Sequence, residues 1–124
     1  MTSSSSADPS SEPARSPAAQ CFREFWPIYL AAHSKAATRR IHVAGTVLGT
    51  LLVAASAFGG PLLALAGVAV AYGLAWTAHL CVEGNRPATF GHPLWSLWGD
   101  LRMTLLFITG RLDDALRRHH IGDV

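Results

Sequence analysis

Charged side chains vanish from one long stretch of this chain. Ile41 to Val82 holds no Asp, Glu, Lys or Arg over 42 residues. Phe58-Gly59-Gly60-Pro61 breaks the run near its middle. Glycine admits positive φ and proline suits the first turn of a helix, so the break reads as a turn between two helices. At the helical rise, Ile41–Phe58 and Pro61–Val82 extend roughly 27 and 33 Å, each enough to cross the hydrocarbon core of a bilayer. The pattern predicts a transmembrane helical hairpin. Gly45 and Gly49 form a GxxxG in its first helix, and Gly67, Gly73 and several alanines supply small residues in the second, which favours close packing.

On either side the pattern changes. Residues 1–20 are mostly Ser, Ala and Pro with no apolar core behind a basic start, so we expect a disordered tail and no signal peptide. In Cys21–His33, Phe22, Phe25, Trp26, Tyr29 and Leu30 recur at helical spacing. These aromatics suit an amphipathic helix at the membrane interface, kinked or started by Pro27. Ser34–Arg40 reads as a short positive connector in which Thr38 is placed to cap the next helix. After the hairpin, Gly84 stops the helix and Asn85–His92 reads as a loop. Pro93 opens a second apolar segment that Asp100 and Arg102 interrupt. That predicts a helix lying on the membrane, dipping into it, or crossing with its polar face on the hairpin. Gly110 ends this helix, and residues 111–124 read as a polar tail with a short helix and a frayed end.

The fold class expected is therefore an all-α integral membrane bundle, with a central hairpin flanked by an amphipathic helix and a polar-interrupted membrane helix. Residues 21–110 form the embedded domain between the two tails. Lys35, Arg39, Arg40 and Arg86 collect at the open end of the hairpin, which the positive-inside rule places, with both termini, in the cytoplasm. Composition agrees: half the residues are hydrophobic and 15% are charged. A net charge of +2 and no basic patch with interleaved aromatics argue against nucleic acid as a partner. Cys21 and Cys81 show no metal or disulfide spacing.

Two histidines inside the apolar run carry the candidate chemistry. His42 lies 18 residues before Gly60 and His79 lies 19 after it, so an antiparallel hairpin brings them to one depth. Ionisable groups in a membrane segment read first as a site; two interfacial histidines bonded to their neighbours are the plainer reading. His33 precedes the hairpin, and Glu83 follows His79 by one helical turn. His92 and Asp100 come soon after. Imidazole and carboxylate without thiolate suit non-haem iron, with zinc or manganese as competitors. Glu83 and Asp100 have alternative partners in Arg39, Arg40, Arg86 and Arg102. His119 and His120, beside Arg117 and Arg118, read as solvated. No P-loop, Rossmann fingerprint or nucleophile elbow is present.

The stretches FWPIYLAAHSKAATRRIHVAGT, AYGLAWTAHLCVEGNRPATF and HPLWSLWGDLRMTLLFITG resemble the small membrane proteins typified by a fungal 2-hydroxy fatty acid dioxygenase. The resemblance covers about Phe22 to Gly110. It implies an iron(II)-dependent enzyme of fatty acid α-oxidation, taking a 2-hydroxy fatty acid and O₂ to a product one carbon shorter. It also implies His33, His42 and His79 as iron ligands. Glu83, Asn85, His92 and Asp100 match motif positions; Glu83 and Asp100 are expected in catalysis. Arg39, Arg40 and Arg86 are candidates for the substrate carboxylate, because guanidinium suits carboxylate geometry. The rival class is a non-enzymatic membrane protein with structural or proton-relaying histidines.

Overall fold

The computed structural model describes residues 19–121; the expected N-terminal tail and the last three residues lie outside that range, apart from its final two positions. Among the described residues the chain is helical throughout, as the apolar pattern predicts. The order is α1 (Phe22–Ala32), α2 (Ala36–Gly59), α3 (Pro61–Thr77), a π-helical segment (Ala78–Glu83), a 3₁₀ turn (Ala88–Phe90), α4 (Pro93–Ile108) and α5 (Leu112–Arg118).

α2 and α3 make the hairpin. Gly60, at φ 95°, is the single turn residue, and Pro61 opens α3. The two helices touch backbone to backbone at Gly49 and Gly67. A methyl added at Gly49 would lie 2.7 Å from the Gly67 carbonyl oxygen, and one added at Gly67 would lie 2.6 Å from that of Gly49. Only glycine permits this approach. α2 starts at Ala36, not Ile41, so the connector shrinks to the residues around Ser34 and Lys35. Both α2 and the continuous helix Pro61–Glu83 are long and apolar enough to cross a membrane. Only 22% and 17% of their apolar windows are buried, so most of this apolar surface faces outward.

α1 corrects one expectation. Its aromatic face does not turn to an interface. Phe25, Trp26, Tyr29 and Leu30 are buried against Val43, Met103, Leu112 and Leu116. They form the core that seals the open end of the hairpin. Pro27 sits within the helix without ending it. α4 is one turn short of a comfortable span at 16 residues; it meets α2 through Asp100 and α1 through Gly99, buries Ser96 and Met103, and leaves Leu94, Trp98, Leu105 and Ile108 exposed. Its polar face meets the hairpin through Asp100 and His42. Gly110, at φ 72°, ends α4, and α5 folds back to bury Leu112 and Leu116.

Candidate metal centre

Three elements converge where α1, the start of α2 and the end of α3 meet. α1 delivers His33 at its C-terminal edge, α2 delivers His42, and the π-helical segment delivers His79. All three are buried, at 0%, 4% and 1% exposure. Their rings pack edge to face, with centroids 4.3 to 4.8 Å apart. Each offers one ring nitrogen, and these nitrogens lie within 4.8 Å of one another.

The other nitrogen of each ring is held by an acceptor. His33 Nδ1 donates to the Tyr29 carbonyl at 2.6 Å. His42 Nδ1 donates to Asp100 Oδ1 at 3.0 Å. His79 Nδ1 donates to Asn85 Oδ1 at 2.7 Å. The Asn85 orientation follows from its NH₂, which donates to the Ala32 carbonyl at 3.0 Å. A neutral imidazole with its proton on Nδ1 has only a lone pair on Nε2. Three such lone pairs face one buried space, and Nε2 of His33 and of His42 stand 3.3 Å apart. Burial, then the neighbouring His42, holds the His33 pKa well below the ordinary histidine value, so His33 is neutral and its Nε2 is a lone pair. Lone pairs that converge without a donor call for a cation, and three neutral imidazoles suit a first-row divalent metal. The residues therefore fit a metal ion.

Outer residues hold these rings in place. The Tyr29 hydroxyl donates to the same Asp100 oxygen that receives His42. Burial, with Asp100 acting in the same direction, raises the Tyr29 pKa well above its ordinary value, so the phenol keeps its proton. The Tyr29 ring stacks on His33 with centroids 4.1 Å apart and on Trp26 at 5.6 Å. Glu83 stands elsewhere. It accepts from the Ser34 and Lys35 backbone N–H groups at 3.1 and 3.2 Å, from Thr38 Oγ1 at 2.6 Å and from Ser34 Oγ. It thus ties the connector and the first turn of α2 to the π-helical segment, and Thr38 serves Glu83 rather than capping the helix itself. The π-helical segment makes this geometry possible: the His79 carbonyl receives Gly84 N and Asn85 N at 2.8 and 3.0 Å, and the wider turn presents His79, Glu83 and Asn85 to the connector.

Other candidates are separated from the cluster. His92 stacks on Trp95 and meets Phe25 edge-on. Arg39 is buried and donates to the carbonyls of His33 and Ser34, bracing the connector. Arg86 lies over the Phe90 ring, which stacks on Trp76. Arg40 is exposed and lines a second cavity with Phe107 and Asp113. Tyr29 is the residue that sequence reasoning passed over; its signal was the position four before His33, where a helix stacks one ring on the next.

A family model described as "2-hydroxy-palmitic acid dioxygenase Mpo1-like" matches residues 19–112. The chain belongs to this Mpo1-like family. No curated protein and no solved structure matches it. The match spans α1 to the start of α5 and so takes in all three histidines, Asn85 and Asp100.

Proposed function

We propose that this Mpo1-like chain is an iron(II)-dependent dioxygenase of 2-hydroxy fatty acids, embedded in a membrane through its hairpin. The observation that carries the reading is the convergence of three Nε2 lone pairs whose Nδ1 protons are all engaged. The family description supplies the substrate class. His33, His42 and His79 would hold the iron, and residues 21–110 would be the catalytic domain. Three protein ligands leave about three positions of an octahedral ion open. The ion would supply a Lewis acid and a template for the two reactants.

The chain's own residues do the rest. Asp100 accepts the Nδ1 proton of His42 and the phenol proton of Tyr29 on one oxygen, Oδ1. Its Oδ2 is the acceptor assigned to the substrate's 2-hydroxyl proton. Glu83 is assigned to holding the connector rather than to the reaction. Arg40 and Arg86, exposed near the open end of the hairpin, are assigned to drawing the carboxylate toward it. A 2-hydroxy acid and one O₂ balance against an acid one carbon shorter, CO₂ and water, so no further reductant is required. The outward apolar faces of α2 and α3 and the cations around Lys35 and Arg86 favour a hairpin crossing the bilayer with its histidine end cytoplasmic.

The test is metal analysis of protein purified in detergent without added metal, followed by incubation with O₂ and a long-chain 2-hydroxy acid. Bound iron and a shortened acid formed only from the hydroxylated substrate are expected. Zinc in place of iron, or consumption of neither acid by the iron-loaded protein, rejects the dioxygenase.

A further inference from the structure

A groove of about 310 Å³ leaves the histidine site and runs along the hairpin between α2, α3 and α4. That volume is within the usual range for ligand pockets, about 300–1,000 Å³. His42 and Asp100 stand at one end, and Val53 and Val68 at the other. The imidazole and the carboxylate are thus confined to one end; beyond Thr46 and Thr50 the lining is apolar apart from Tyr72. Small residues leave the floor bare: Gly49 and Gly67 have no side chains, and neither tolerates a Cβ because the opposite backbone is in contact.

We propose that this groove holds the acyl chain of the substrate, and that Val53 and Val68 set the chain length the site accepts. The inference rests on the hydroxy-acid reading for the polar end of the occupant. His42, whose Nε2 stands 3.3 Å from that of His33, lines the groove together with Asp100, so the groove reaches the site itself. His42 and Val53 are 11 residues apart on one helix, about 16 Å at the helical rise, or the extended length of roughly a dozen methylenes. Leu97 and Leu101 wall the groove on α4, yet they are 49% and 42% exposed. The groove therefore opens sideways onto the outward apolar surface of the hairpin. An amphiphile already in a bilayer can slide in without its chain crossing water.

Val53 and Val68 are 44% and 48% exposed, so a larger ring at either position has room to fold. Val53→Phe and Val68→Phe are compared with the parent chain across hydroxy acids shorter and longer than the groove, at equal iron content. Turnover of the longer acids should fall about tenfold, the scale of a misplaced methylene or two in an apolar pocket. Turnover of the shorter ones should fall less, so that the ratio of short-acid to long-acid turnover rises. An unaltered chain-length profile in both variants, with the parent active, overturns the ruler. A second measurement does not depend on turnover. A 2-hydroxy acid carrying a terminal diazirine should label the Val53 and Val68 end of the groove. Label spread over the outer faces, or equal groove labelling by a diazirine phospholipid, overturns the acyl site. A parent that labels as expected but oxidises no hydroxy acid leaves the groove in place and rejects the reaction.

Discussion

Gly99 faces the ring of Tyr29, and a single methyl there should disturb the metal centre from outside it. A Cβ built at Gly99 lies 2.9 Å from two Tyr29 ring atoms and 3.2 Å from a third. Carbon atoms rest at about 3.5–4.0 Å, so the ring must retreat by at least about 0.6 Å. It has nowhere to go. Tyr29 is 0% exposed, stacked between His33 and Trp26, with its hydroxyl on Asp100. Overpacking of this kind costs about 1–3 kcal/mol. The displaced ring pushes on His33 and on the oxygen that orients His42. Loss of such supporting contacts weakens metal binding about 10–100-fold. Gly99→Ala is therefore expected to lower the thermal stability measured in detergent and to release bound metal to a chelator at a correspondingly lower concentration. Gly99→Ala combined with Tyr29→Leu should recover part of the loss, with a coupling of about 0.5–3 kcal/mol between the two sites. A Gly99→Ala protein with parental stability and parental metal affinity would refute the claim that Tyr29 is a rigid support.

Asn85→Ala removes the acceptor for His79 Nδ1 and the tie to Ala32, so metal affinity should drop about 10–100-fold in a chelator competition; undiminished affinity would free His79 from Asn85. Glu83→Gln turns an acceptor of four hydrogen bonds into a weaker one and should cost about 1–3 kcal/mol of stability at nearly constant metal content. A stable Glu83→Gln protein that binds metal as the parent does yet has lost the parent's turnover would return Glu83 to the chemistry. Gly60→Cys, in a chain whose exposed Cys21 and Cys81 are replaced by Ser, should react with an impermeant maleimide from the side opposite Arg40. Reaction from the Arg40 side alone counts against a spanning hairpin.

The hairpin was legible because its causes are local. A charge-free run, a Gly-Gly-Pro break and the nearly equal distances of His42 and His79 from Gly60 are all properties read along the chain. Helical rise then converts residue counts into depth, which is why two histidines 37 positions apart were paired without coordinates. Gly84 and Gly110 were readable as stops for the same reason, and both have positive φ.

What tertiary structure decided was direction. Periodicity shows that α1 has an aromatic face, but an aromatic face suits a bilayer interface and a protein core equally well, and only the position of α4 and α5 turned it inward. The i, i+4 spacing of His79 and Glu83 put them on one side of a helix, yet the π-helical turn passes that carboxylate to the N–H groups of Ser34 and Lys35. Which nitrogen of His42 carries the proton was undecidable from sequence, because Asp100 is 58 positions away, and the Asn85 that orients His79 is itself held by Ala32, 53 positions away. Sequence determines which residues have ligand chemistry and at what depth they lie. Helix packing, which sets Asp100 against His42 and ties Asn85 to Ala32, determines where the lone pairs of His42 and His79 point.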